Sequence, residues 1–172
     1  MNRQEVKIDV ERIMNLYGEL IFKTCFMMVK NKYDAEDIVQ DTFMKYISYL
    51  AENNRFESDE HKKAWLLRVS QNKCKDLLKY KNRHTHVAYE DVEECLLCGN
   101  DYEQSDMEEF LRFANLSYEH KSVIMLHYIE GFSVEETANI LSISISAVKM
   151  RLKRGREKLK VAYEKRFKEE VL

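Results

Sequence analysis

Between Ser144 and Leu159 the chain reads SISAVKMRLKRGREKL, and its polar side chains suit one kind of chemistry, the gripping of a polyanion. Val148, Leu152, Gly155 and Leu159 recur at spacings of four, three and four, which is one face of a helix that Ser144 can cap. At about 100° per residue, Ser146, Met150 and Lys153 point the opposite way, flanked by Lys149 and Arg154. A slim helix with a small polar crest and cationic flanks fits a DNA major groove, the crest meeting base edges and the flanks neutralising phosphates. Just before it, Ser133 followed by Glu136 is a capping-box start, and Thr137, Ala138, Ile140 and Leu141 give the inward stripe of two helical turns. Residues 142–144 break the period. The pair predicts a helix-turn-helix, with a merely solvated amphipathic helix pair as the alternative.

A second cluster could hold a metal. Cys95 and Cys98 form a CxxC, and His84 and His86 lie upstream, so four zinc-type donors fall within a short stretch. Their spacing matches no common zinc finger, and a reduced dithiol is the simpler reading. Cys25 and Cys74 sit in helical patterns and read as small packing residues. There is no Gly-rich phosphate loop, nucleophile elbow or acid pair at catalytic spacing. A thiol oxidoreductase would want a βαβ context that is missing. The expectation is a protein without catalysis of its own, without a cofactor and without an assigned metal site.

The elements that position these residues follow from composition. The 172 residues allow one ordinary domain or two small ones, and 34% charged with 45% apolar residues is a globular balance. No apolar run approaches a membrane span, and the start, MNRQEVKIDVERIM, lacks the apolar core of a signal peptide, so the expected location is the cytoplasm. No proline, four glycines and long 3.6-residue periods predict an all-α fold. The net charge of −2 hides blocks of opposite sign. Residues 62–83 hold eight Lys/Arg against one Asp/Glu, residues 84–110 hold none against nine, and residues 142–168 hold ten against two. Two basic blocks separated by an acidic one suggest two contacts with the same polymer. The organisation expected is a helical domain over 1–83, an acidic linker over 84–110 and a second helical domain over 111–172. The linker can reach at most roughly 90 Å, enough for two sites about two duplex turns apart, on the order of 70 Å.

The first domain reads as three helices. Val10 to Lys30 carries Ile13, Leu16, Tyr17, Leu20, Ile21, Thr24 and Met28 as its inward stripe. Asp34 is expected to cap a second, DAEDIVQDTFMKYISYL, with Ile38, Val39, Phe43, Tyr46, Ile47 and Leu50 facing inward and Glu36, Asp37, Gln40 and Asp41 on an acidic outer edge. The third, HKKAWLLRVSQNKCKDLLKYKNR, buries Trp65, Leu66, Val69, Leu77 and Leu78 and leaves its cations outside. Cations interleaved with aromatic and amide side chains suit a surface that tracks a phosphate backbone and handles exposed bases, although Trp65 itself is expected to be a core anchor.

DAEDIVQDTFMKYI, then AWLLRVSQNKCKDLLKYKNR, then LSYEHKSVIMLHYIEGFSVEETANILSISISAVKMRLKRGREKL resemble, in order and spacing, regions 2 and 4 of the extracytoplasmic-function sigma factors of bacterial RNA polymerase. The resemblance covers essentially the whole chain. It implies a promoter-specificity subunit that directs core polymerase by binding a minus-35 element and melting a minus-10 element. Asp37, Gln40, Asp41 and Phe43 match the part of region 2 that docks on the clamp coiled coil of the polymerase β′ subunit; the β subunit is implied as a further contact. Residues 53–63 and the helix after them match the melting surface. Asn72, Lys75 and Asp76 are then expected near a flipped-base pocket, and Lys62, Lys63, Arg68, Lys79 and Arg83 along the strand. In the C-terminal half, the helix from Ser144 matches the minus-35 reader. Ser146, Lys149, Met150 and Lys153 would meet base edges, and Arg151, Arg154 and Arg156 phosphates. The resemblance implies an anti-sigma factor as a regulatory partner. Two departures stand out: Met150 where a small polar residue is common, and Gly155 where Ala is common, the latter at about 1 kcal/mol in helix propensity. A conventional helix-turn-helix regulator is the alternative function, and it would carry a receiver or ligand pocket in place of DAEDIVQDTF.

Overall fold

The computed structural model describes residues 3–52, 54–84 and 116–169, all helical or in short connections, with no strand among them. The chain divides into two compact units, Met1–Gly99 and Asn100–Leu172. Residues 85–115, which carry nearly all of the expected acidic linker, lie outside the described residues.

The first unit is a bundle of α1 (Arg3–Val29), α2 (Lys32–Ala51) and α3 (Asp59–His84), each packed on the other two. Ile13, Ile21, Cys25, Ala35, Tyr46, Leu66, Leu67 and Cys74 are fully enclosed between them. Residues of this kind at helical spacing close a bundle because burying each large apolar side chain gains about 1.5–3 kcal/mol. Two expected members of the stripe lie outside it. Leu16 is 54% exposed, since it falls about 120° from the centre of the buried arc of α1, and Ile47 is 37% exposed on the rim of α2.

The joint between α1 and α2 corrects the expected cap. Lys30 takes a left-handed φ of 56°, which turns the chain sharply and leaves Asn31 extended, with its side chain accepting from the Asp34 amide at 2.9 Å. The cap is therefore Asn31, and α2 starts earlier than expected. Asp34 stands in the first turn, where its charge suits the helix dipole, and it pairs with Lys81 of α3 at 2.5 Å. Polar ties also hold the N-terminal end of α1 in place. Asp9 accepts from the Tyr46 hydroxyl and the Lys62 ammonium, each at 2.6 Å, and Arg12 grips both oxygens of Asp59. Burial pushes the Asp9 carboxyl up, but its hydrogen bonds from Lys62, Tyr46 and Arg12 outweigh that and hold it below its ordinary range. The Arg12 fork holds Asp59 down at about 2.

The second unit begins with α4 (Tyr118–Ile124), which runs into a π-helical turn over Met125–Ile129. Gly131, at φ 74°, then reverses the chain. α5 (Val134–Leu141) opens with the expected reciprocal capping box between Ser133 and Glu136. Ser142 sits in the left-handed region and ends α5, and Ser144 caps α6 (Ile145–Glu169) by accepting from the Ala147 amide at 3.1 Å. Thr137, Ala138, Ile140, Val148, Leu152 and Gly155 are buried as the spacing requires. Gly155 lies where α4 crosses α6: a Cβ there would sit 2.6 Å from Ile124 Cδ1 and 3.6 Å from His120 Cβ. Its departure from Ala thus follows from a close helix crossing.

Candidate nucleic-acid interface

α6 presents the geometry that its sequence promised. Ser146, Lys149, Met150, Lys153, Arg154 and Arg156 are exposed, while Val148, Leu152 and Gly155 face α4 and α5. Projected down the helix, Lys149, Lys153, Arg156 and Lys160 cluster within about 60° on one flank, and Arg151, Arg154 and Lys158 within about 60° on the other. Ser146 and Met150 lie on the crest between them, with Ser144 fixed at the helix start by its capping role. Over its first turns the helix therefore offers a neutral ridge between two rows of cations, which matches bases between two phosphate backbones, and Glu157 follows on the same crest further along. The flanks differ in their surroundings. Arg151 is half-buried and faces Glu119 of α4, whose carboxyl is held low by its own backbone amide, by Ser117 and by Arg151. On the other flank Arg156 donates to the Tyr128 hydroxyl at 2.6 Å.

α3 carries the second cationic surface. Arg68, Asn72, Lys75, Asp76, Lys79 and Arg83 are all exposed and fall within an arc of about 100°, opposite the buried Leu66, Ser70 and Cys74. The two lysines expected at the start of this surface do not join it. Lys62 is turned into the bundle with its side chain 14% exposed and bound to Asp9, which corrects its assignment to phosphate, and Lys63 is half-buried and faces away from the arc. Lys73 and Lys81 are likewise drawn off, to Asp41 and Asp34.

Beside the start of α3 lies an aromatic cluster. Trp65 is half-buried, with ring centroids 5.2 Å from Tyr49, 5.7 Å from Phe56 and 6.0 Å from Tyr46, and His61 stands edge-on to Phe56. An adjoining cleft of about 380 Å³ is lined by Glu5, Asp9, Leu50, Arg55, Phe56 and Lys62. Asn72, Lys75 and Asp76 do not line it; they stand on the open face of α3.

The outer face of α2 brings Asp37, Gln40 and Asp41 together at the surface, with the Asp41 carboxylate paired to Lys73 of α3. Phe43 does not belong with them. It is 3% exposed and packs in the bundle, because at about 100° per residue it lies on the same side as Tyr46 and Leu50. The apolar residues that do reach the surface beside the acidic edge are Tyr33, Met44 and Ile47, at 71%, 58% and 37% exposure. Their spacing at i, i+11 and i+14 could have revealed that stripe in the sequence.

Of the candidate zinc donors, Cys95, Cys98 and His86 lie outside the described residues, and His84 stacks on Tyr80 at 4.2 Å. Among the described residues no group of three or more metal-binding side chains gathers, and no helix is long and apolar enough to cross a membrane. Cys25 and Cys74 are both buried, as expected, and their contact with each other together with burial pushes the Cys74 thiol up.

Comparison with known proteins supplies the remaining observation. The family model for Sigma-70 region 2 matches residues 13–84, and that for Sigma-70, region 4 matches residues 112–159. The chain is 26% identical over 170 residues to the ECF RNA polymerase sigma factor SigW of Bacillus subtilis (strain 168), covering 86% of this chain and 85% of that protein. It is 33% identical over 135 residues to the RNA polymerase sigma factor NccH of Alcaligenes xylosoxydans xylosoxydans, covering 73% and 71%. The fold is shared with the sigma factor RpoE of Bartonella quintana, solved in complex with the anti-sigma factor NepR, at a TM-score of 0.69, 24% identity and coverage of 91% and 97%. It is shared too with CnrH, solved in complex with the cytosolic domain of CnrY, at a TM-score of 0.63, 24% identity and coverage of 92% and 89%.

Proposed function

The chain belongs to the extracytoplasmic-function sigma factors, the subunits that direct bacterial RNA polymerase to promoters, and on that premise we propose how its residues divide the work. The observation that carries the division is the recurrence, in each unit, of a buried apolar stripe backed by an outward cationic face: α3 in the first, α6 in the second.

Residues 1–83 dock on core polymerase and open the minus-10 element. The acidic edge of α2, Asp37, Gln40 and Asp41, meets a basic partner surface on the β′ clamp coiled coil, and Met44 supplies the apolar contact in place of Phe43. Arg68, Lys75, Lys79 and Arg83 hold the separated strand along α3. Melting costs a few kcal/mol of unstacking per base, and cations aligned along one face of a helix recover part of it by gripping the single strand. Asn72 and Asp76 offer hydrogen-bonding groups to bases on the same face. Residues 111–172 bind the minus-35 duplex: Ser146, Lys149, Met150 and Lys153 at base edges, Arg151, Arg154 and Arg156 on phosphates. The acidic residues 84–110 tether the two parts and repel stray polyanions. Bond chemistry belongs to the polymerase, and the protein works where the polymerase works, in the cytoplasm. Because a protein of this fold has been solved with an anti-sigma factor, an anti-sigma factor that covers the α2 edge and the α6 crest is the regulatory partner expected here.

Reconstitution tests the reading. Core polymerase plus this chain, given a library of random upstream sequences, should start RNA synthesis at discrete positions downstream of one recurring pair of motifs. Scattered start sites would overturn it, and tight duplex footprints without core polymerase would replace it with a stand-alone regulator.

A further inference from the structure

Resting on the placement of α6 in the major groove, we propose that Tyr128 and Arg156 form a two-donor clamp that seizes one backbone phosphate beside the minus-35 element. Tyr128 belongs to no basic block and to no groove-facing stripe, and only the local fold brings it to α6. The π-helical turn does this. Glu130 donates back to the Met125 carbonyl and Phe132 to the Leu126 carbonyl, so the turn holds one residue more than a regular one. The wider turn changes the angular position of Tyr128 relative to a continuous α-helix. The ring then rests edge-on against His127 at 4.8 Å, and the His127 Nδ1 sits 2.7 Å from the Phe132 carbonyl oxygen. Tyr128 is thus braced by its neighbour while remaining 50% exposed.

The hydrogen-bond inventory decides what the pair can do. The Tyr128 oxygen accepts from Arg156 Nη1 at 2.6 Å, which leaves the phenolic proton to be donated outward. Arg156 has spent one of its five N–H groups and makes no ion pair among the described residues. Two outward donors side by side, one of them charged, suit an anionic oxygen. On the opposite flank the half-buried Arg151 helps hold the Glu119 carboxyl low, so the two rows of cations are not equivalent. One has a carboxylate of the same unit within electrostatic reach, and the other is braced by a neutral hydroxyl that accepts from Arg156. Holding Arg156 in place before binding removes the side-chain entropy that an exposed arginine otherwise loses on contact.

The test uses the full chain with core polymerase on a promoter recovered by selection, with affinity measured across a salt series for wild type, Tyr128→Phe, Arg156→Ala and the double variant. Tyr128→Phe should weaken binding threefold to tenfold with the preferred minus-35 sequence and the thermal midpoint unchanged. Arg156→Ala should weaken it further and reduce the slope of log affinity on log salt by about 0.9, and the double variant should match Arg156→Ala, since the two act as one unit. A single methylphosphonate walked along the minus-35 backbone should find one position that costs the wild type affinity, costs Tyr128→Phe less and is silent in Arg156→Ala. Wild-type affinity in Tyr128→Phe, or independent losses that multiply in the double variant, would overturn the clamp while leaving the sigma-factor reading intact. Failure of the wild type to select any promoter would overturn that reading and the clamp with it.

Discussion

Replacing Gly155 by Ala pits helix propensity against packing, and the structure decides the sign. Ala is favoured over Gly inside a helix by about 1 kcal/mol. The added methyl, however, would stand 2.6 Å from Ile124 Cδ1 and 3.3 Å from Ile124 Cγ1. Ile124 is 1% exposed, so its terminal methyl must turn within the packed core to make room. Overpacking of this kind costs about 1–3 kcal/mol, and the expected net for Gly155→Ala is a loss of about 1 kcal/mol. Ile124→Val removes the colliding methyl. Alone it should cost about 1 kcal/mol, but combined with Gly155→Ala it leaves space that the new methyl on α6 occupies. The double variant is then at least as stable as the wild type, and the coupling between the two sites is about 2 kcal/mol. Because the single tryptophan, Trp65, lies in the first unit, its fluorescence is blind to this change. Native-state hydrogen exchange of the α4 and α6 amides is the appropriate measure. A Gly155→Ala protein stabilised by the full propensity gain, with no coupling to Ile124→Val, would refute the close crossing.

Burial separates two neighbours on α2. Phe43→Ala should cost about 3–5 kcal/mol of stability, whereas Met44→Ala should change stability by no more than about 0.5 kcal/mol and weaken association with core polymerase in a pull-down titration. The reverse pattern would put the docking face on the other side of the helix. His120 sets a pH dependence in the second unit. Burial, then the cations Lys158, Arg151 and Arg154, hold its imidazole below the ordinary value of 6.5. The unfolded chain therefore takes up a proton first as pH falls, so this contribution is complete above about pH 6.5 and fades as pH drops below it. Hydrogen exchange of α4 between pH 7.5 and 5 should show that decline, and His120→Gln should flatten it.

Where the sequence was legible, local physics sufficed. The capping box at Ser133 and Glu136, the Ser144 cap and the cationic flanks of α6 depend on residues within a few positions of each other, and each stands as the spacing requires. Apart from the cap of α2, which is Asn31 and not Asp34, the misreadings involve partners distant in the chain. Periodicity marks Leu16 and Ile47 as apolar but cannot say how wide an arc the neighbouring helices cover. Its position in a motif assigns Phe43 to docking, and only packing shows it turned inward. Lys62 counts toward a basic block in sequence, yet its charge is committed to Asp9, 53 residues away. Gly155 reads as a propensity cost unless Ile124 is seen beside it, and the π-helical turn that aims Tyr128 has no sequence signature.

Those committed charges have a measurable consequence for the melting surface. Residues 62–83 contain eight basic side chains, and a count of charge alone would have all of them meet phosphates. For single-stranded nucleic acid each neutralised phosphate contributes about 0.7 to the slope of log affinity on log salt, so eight would give roughly 6. Lys62, Lys73 and Lys81 instead face Asp9, Asp41 and Asp34, and Lys63 faces away from the exposed arc. That leaves Lys75, Lys79 and Arg83, with Arg68 beside them on the outer face of α3, and a slope of about 2 to 3. Binding of the holoenzyme to a promoter already open across the minus-10 element, compared with the same promoter lacking that single strand, isolates this difference. Charge reversal separates the two groups further. Lys75→Glu and Lys79→Glu should weaken the single-strand contribution tenfold or more each and leave folding intact. Lys62→Glu removes the ammonium that lies 2.6 Å from Asp9 and turns a second carboxylate toward it, and should instead destabilise the bundle before it alters the slope. A slope near 6, or a Lys62→Glu protein that folds normally and loses only strand affinity, would mean that these ion pairs open when the promoter binds.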